Sequence, residues 1–168
     1  MPAGVSKLLT TSGTVESIKD EIAAQRRSYD NRWAFRKDVY VNLIKLVSDL
    51  VHLRLGFLQL ANLQRALAPT DGVELQAVHE QKAANLRRYR AVLKQYINQV
   101  AIAPLAMADN VIVALKLPQP TLIGSTQPDP IEEQQIRQEV SALNDILRTL
   151  AEGGRKDLWG APEPQAKA

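Results

Sequence analysis

The chain has 168 residues, 45% of them hydrophobic and only 5% aromatic, with 21 Lys and Arg against 18 Asp and Glu. This length and balance fit one helical domain, and the absence of cysteine excludes disulfide frameworks, thiolate metal centres and cysteine nucleophiles. The longest run without a formal charge, residues 95–108, has 14 residues, short of the roughly 20 apolar residues of a membrane span; with no secretory pattern after Met1, a cytoplasmic protein is expected.

Residues 1–13 read as a flexible N-terminus. The first helix is predicted over residues 14–67, where there is no proline and one glycine, Gly56. Thr14 ahead of Glu16 gives its start signal. The first half is polar and basic, with Arg26, Arg27, Arg32, Arg36 and Lys37 around Ile18, Ile22, Tyr29, Trp33 and Phe35. The second half carries heptads. Leu43, Leu50 and Phe57 recur every seven residues, and Leu46, Leu53 and Leu60 form the companion seam between Val39 and Leu67. Such 4,3 spacing makes knobs that pack into a neighbouring helix, as in a coiled coil. A third apolar row, Val41, Ile44, Val51, Leu55 and Leu58, covers another flank.

Pro69 and Gly72 mark a turn. The second helix is predicted over residues 72–117, starting from a capping box of Asp71 and Glu74. Its first part is basic, with Lys82, Arg87, Arg88, Arg90 and Lys94 around a seam of Leu86, Tyr89, Leu93 and Tyr96. Its end is nearly all apolar, and Pro104 predicts a kink there. At about 1.5 Å per residue the two rods measure roughly 80 and 70 Å, and the short turn makes them antiparallel neighbours.

Residues 118–129 form a proline-rich connector. Asp129, Pro130 and Glu132 announce a third helix, predicted over residues 130–152 with the stripe Ile136, Val140, Leu143, Leu147 and Leu150. Gly153 and Gly154 read as its stop, and residues 153–168 as a disordered tail. Trp159 stands out in that tail as a candidate partner-docking residue. The segment 129–152 is net acidic, whereas residues 1–128 are net basic. The third helix is therefore expected over the open end of the hairpin, with Glu132, Glu133 and Glu139 near Arg26, Arg27 and Arg32.

The fold class is all-α: a long antiparallel helical hairpin with a third, shorter helix, forming a helical bundle. The apolar surface at residues 39–67 exceeds what one hairpin covers. A homodimer is expected to bury the remainder through Val51, Leu55 and Leu58.

Chemistry is sparse. Asp49 and His52 have the i, i+3 spacing of bundle metal ligands, but facing carboxylates are lacking, so no metal or cofactor is expected. There is no phosphate loop, nucleophile elbow or dinucleotide fingerprint, and no enzyme activity is expected. Arg87, Arg88, Arg90 and Lys94 are candidate anion contacts, although the acidic third helix argues against nucleic acid as the main partner. Trp33, Arg36, Lys37 and Tyr40 lie on adjacent turns and form a candidate aromatic latch for the third helix. The expected function is a structural or protein-interaction module that self-associates through its first helix and binds an unidentified protein partner. The alternative is a peripheral binder of a membrane surface or nucleic acid through the basic and apolar helical faces.

Overall fold

The computed structural model describes residues 5–67, 72–117 and 129–160, with side chains from Ser17 onward. Helix α1 runs Val5–Leu67, α2 Val73–Ile102, α3 Asp109–Ala114 and α4 Pro130–Trp159, with a 3-10 turn at Ala103–Leu105 between α2 and α3. There is no strand among the described residues, and the fold is an all-α bundle.

Helices α1 and α2 are antiparallel. Gln64 bonds His79 and Lys82, Arg54 meets Tyr89, and Gly56 lies against Asn85. Helix α4 also runs antiparallel to α1, because Arg65 pairs with Glu133, Arg54 with Glu139, and Tyr40 with Asp157. The three rods enclose a core of Leu43, Val47, Leu50, Tyr89, Tyr96, Leu143, Ile146 and Leu150. A second cluster of Phe57, Leu58 and Ile136 extends it toward the turn. Each large apolar side chain fully buried there stabilises the bundle by roughly 1.5–3 kcal/mol.

Several boundaries differ from the sequence reading. Helix α1 is already formed at Val5, so residues 5–13 are helical and Thr14 is not its first cap. The second helix is not one kinked rod over 72–117. It ends at Ile102, and Pro104 sits in the 3-10 turn that follows. Proline has no N–H to donate and its ring obstructs the preceding turn. The chain then reverses into α3, held by the Tyr96 hydroxyl donating to the Leu115 carbonyl at 2.6 Å. Asp71 of the expected capping box, most of the connector and residues 161–168 lie outside the described residues.

The third helix starts as expected. The Asp129 carboxylate accepts from the Ile131 N–H at 2.9 Å, and Pro130 takes the first turn. It does not stop at Gly153 but continues to Trp159. The two glycines allow a close approach. A Cβ on Gly153 would stand 2.7 Å from Val111 Cγ2, and one on Gly154 3.3 Å from the Tyr40 ring. Without side chains there, α4 closes onto Tyr40 and α3.

The docking site of α4 is the main correction. It lies along residues 33–65 of α1 and beside α2, not over the basic start of α1. It therefore covers the apolar row assigned to a second chain. Val51 and Leu58 are only 8% and 6% exposed within one chain, and of that trio only Leu55 faces solvent. Of the packing seam, Leu43, Leu50 and Phe57 are buried, and Leu46, Leu53 and Leu60 are half-buried.

Candidate functional site

The helices are joined by a ladder of polar groups that is buried at its centre and reaches the surface at Arg65. At its centre Arg54 and Glu139 pair at 2.8 Å, an ion pair without hydrogen-bond alignment. The Arg54 guanidinium lies 3.7 Å from the centre of the Tyr89 ring. The Tyr89 hydroxyl donates to Glu139. Burial raises that hydroxyl well above its ordinary range; the Glu139 hydrogen bond adds to the shift and the Arg54 charge opposes it.

One rung closer to the turn, Lys82 donates to Gln64 at 2.8 Å, and the Gln64 amide donates to His79 Nε2 at 2.8 Å. The Lys82 ammonium also lies 4.9 Å from the centre of the Phe57 ring. Burial lowers the Lys82 pKa, against the opposing charges of Glu132 and Glu133. Arg65 and Glu133 close this end at 2.9 Å.

These contacts of the ladder each link one helix to another, and none of the residues named in them lines a groove of the bundle surface at Leu93–Leu117 or between α1 and α2. The ladder acts as a joint that fixes the register of α4. Reading the sequence missed it because Lys82 resembles any solvated cation. Arg54 did carry a signal: it is the only formal charge between Leu50 and Ala61.

At the other end, Trp33 and Tyr40 form the expected latch. The Trp33 indole N–H donates to the Leu158 carbonyl at 3.3 Å, and the Tyr40 hydroxyl donates to Asp157 at 2.5 Å. Lys37 lies 5.3 Å from the Trp33 ring centre. Trp159 meets Trp33 edge to face at 6.5 Å between centroids, yet remains 70% exposed. It thus docks on its own bundle and still offers most of its surface.

Beyond Trp33, toward the N-terminus, α1 continues with no other helix beside it among the described residues. Ile18, Ile22 and Tyr29 are exposed on this arm. At the helical repeat they fall on the same stripe as Trp33, Tyr40, Val47, Arg54, Leu58 and Arg65. That stripe receives α4 from Trp33 to Arg65. The arm therefore continues a helix-docking stripe past the end of the helix that occupies it.

The candidate anion contacts Arg87, Arg88, Arg90 and Lys94 are all exposed on α2, and none joins an ion pair among the described residues. Near them lies an apolar groove of about 290 Å³, lined by Leu93, Tyr96, Ile97, Val100, Leu115, Lys116 and Leu117. A polar groove of about 420 Å³ lies between α1 and α2, with Asn42, Lys45, Asp49, Gln95, Asn98 and Gln99. His52 is exposed, and its Nδ1 donates to the Ser48 carbonyl of its own helix at 2.8 Å. Among the described residues no cluster of three metal-ligating side chains forms, and no helix is long and apolar enough to cross a membrane.

No protein-family model, curated protein or solved structure matches this chain.

Proposed function

We propose that this chain is a helical protein-interaction module that self-associates through the projecting arm of α1. The supporting observation is the continuation of the α4-docking stripe through Tyr29, Ile22 and Ile18, which are exposed among the described residues. Helices in proteins gain most of their stability from packing an apolar face rather than from intrinsic propensity. A second copy supplies the missing face. Set antiparallel, Ile22 of one copy meets Tyr29 of the other, and Ile18 meets Trp33. The surface thus moves from Val51, Leu55 and Leu58 to the arm.

Four apolar side chains per copy, at roughly 1.5–3 kcal/mol each, stand against an association cost of about 4–15 kcal/mol. For the eight side chains of a dimer the middle of these ranges leaves about 8 kcal/mol, roughly micromolar dissociation. Light scattering on the full chain tests the reading. The expected mass is that of a dimer, reduced to a monomer in Ile22→Glu and unchanged in Leu55→Glu, with the unfolding transition of the bundle unchanged in both. A monomeric wild-type chain at about 100 µM, a concentration well above that dissociation constant, refutes it.

A further inference from the structure

The outer face of α2 carries a second pattern, independent of the arm. From Gln81 to Ala108 the chain contains no Asp or Glu, while Lys82, Arg87, Arg88, Arg90 and Lys94 fall within that span. Lys82 points into the core. The other four are exposed. Arg87, Arg90 and Lys94 share one stripe at the helical repeat, and Ile97 and Ala101 continue it toward the end of the helix. This stripe is centred about 120° round the helix from the one formed by Val78, Lys82, Tyr89 and Tyr96, which is buried in the bundle. Among the described residues Arg87, Arg90, Lys94 and Ile97 are therefore open to a surface laid against this part of α2.

The C-terminal part of that face is apolar. Ile97 is exposed and also lines the groove with Leu93, Val100, Leu115 and Leu117. Leu105, in the 3-10 turn that ends α2, is 75% exposed. Lys116 sits at the groove wall. Membrane-interface elements combine basic side chains with apolar ones that enter the headgroup–acyl boundary, and both kinds are exposed here along one side of α2, the apolar ones toward its C-terminal end.

We propose that the outer face of α2, together with the adjoining apolar groove, docks on an anionic phospholipid bilayer. Arg87, Arg90 and Lys94 lie at the level of the headgroup phosphates. Ile97 and Leu105 enter the headgroup–acyl boundary, and the groove takes up acyl carbons beside Lys116. Charge complementarity supplies attraction, because no acid on this span of α2 opposes it. The apolar half decides between polyanions: a nucleic-acid backbone satisfies the cations but gives Ile97, Leu105 and the groove nothing to bury against.

Co-sedimentation of the full chain with vesicles tests the proposal. The probes are phosphatidylcholine vesicles, phosphatidylcholine–phosphatidylglycerol vesicles and a DNA duplex. The chain is expected to bind the anionic vesicles, not the neutral ones, and to lose binding as salt rises from about 50 to about 200 mM. Each surface cation contributes roughly a fivefold gain in partitioning. The combined variant Arg87→Glu, Arg90→Glu, Lys94→Glu is therefore expected to lose binding by at least about a hundredfold, with circular dichroism unchanged. Ile97→Asp alone is expected to weaken anionic-vesicle binding at least severalfold. Absence of binding at low salt, or binding that survives the triple variant, overturns the proposal. Duplex binding that falls with the triple variant while Ile97→Asp leaves vesicle binding intact also overturns it, in favour of a nucleic-acid surface.

Discussion

The Arg54 guanidinium lies 2.8 Å from the Glu139 carboxylate, with both side chains almost fully removed from solvent. Burying two charges costs several kcal/mol each, which their attraction offsets only with good geometry and extra partners. Here the Tyr89 ring and hydroxyl provide those partners. The pair joins α1 to α4 while Tyr89 joins both to α2. It specifies one arrangement of three helices more than it adds net stability.

This arrangement makes the single and multiple variants differ. Glu139→Ala leaves Arg54 buried beside an unfilled site and is expected to cost about 3–5 kcal/mol, roughly a 10 °C fall in the thermal midpoint for a chain of this size. Replacing the trio together, with Arg54→Met, Tyr89→Phe and Glu139→Leu, is expected to recover most of that loss. Calorimetry on the two variants checks the prediction. Equal losses in both would mean that packing volume, not uncompensated charge, sets the cost.

Gly153→Ala is expected to destabilise the bundle even though alanine favours helix by about 1 kcal/mol over glycine. Its Cβ would lie 2.7 Å from Val111 Cγ2 and 3.2 Å from the Tyr40 hydroxyl. Valine is stiff about χ1, so the backbone of α3 or α4 must give way, and overpacking of this kind costs typically 1–3 kcal/mol. Gly154→Ala meets only the Tyr40 ring at 3.3 Å and is expected to be close to neutral. Urea midpoints of the two variants should therefore move by different amounts, Gly153→Ala the further.

The same glycines show what was legible in the sequence and what was not. The heptads over Leu43, Leu50 and Phe57 identified the buried seam because periodicity is a local property. The Asp129–Pro130 start of α4 was legible for the same reason. Gly153 and Gly154 look like a stop by any local rule, and only Tyr40, more than a hundred residues earlier, explains why the helix passes through them. Placing α4 failed on a similar ambiguity. Glu133 and Glu139 match Arg26 and Arg27 in charge as well as they match Arg65 and Arg54. Choosing between them requires knowing that Ile136, Leu143 and Leu150 need the apolar stripe of α1, which charge matching ignores.

Stability is expected to fall above about pH 10. The hydroxyls of Tyr40, Tyr89 and Tyr96 are buried, and their pKa values in the folded chain stand above the ordinary 10.0. Once the pH passes 10.0, the unfolded chain releases protons that the folded chain keeps, so the unfolded state gains. Lys82 acts in the opposite sense: burial lowers its pKa below the ordinary 10.5, and that cost is relieved as pH rises toward 10.5. Three tyrosines against one lysine give a net loss. Denaturant titrations at a series of pH values, with tyrosinate absorbance followed on the same samples, should show ionisation of the buried rings coinciding with unfolding. Full ionisation of the chain's four tyrosines while the far-ultraviolet circular dichroism stays intact would contradict this.

The last expectation concerns the arm, through hydrogen exchange as a function of protein concentration. Amides of residues 39–65 lie in helix packed by α2 and α4, so their exchange reports opening of the bundle and should be slow at every concentration. Residues 17–32 have helical hydrogen bonds but no neighbouring helix among the described residues. In a monomer they are expected to exchange through fraying, which requires no loss of core. In a dimer joined arm to arm, opening them requires separating Ile22 from Tyr29 of the other copy. Protection over 17–32 should therefore rise with concentration through the micromolar range while that over 39–65 stays constant. Ile22→Glu should abolish the concentration dependence and leave the bundle amides unaffected. Concentration-dependent protection confined to the region around Leu55 would instead return the association surface to the second half of α1.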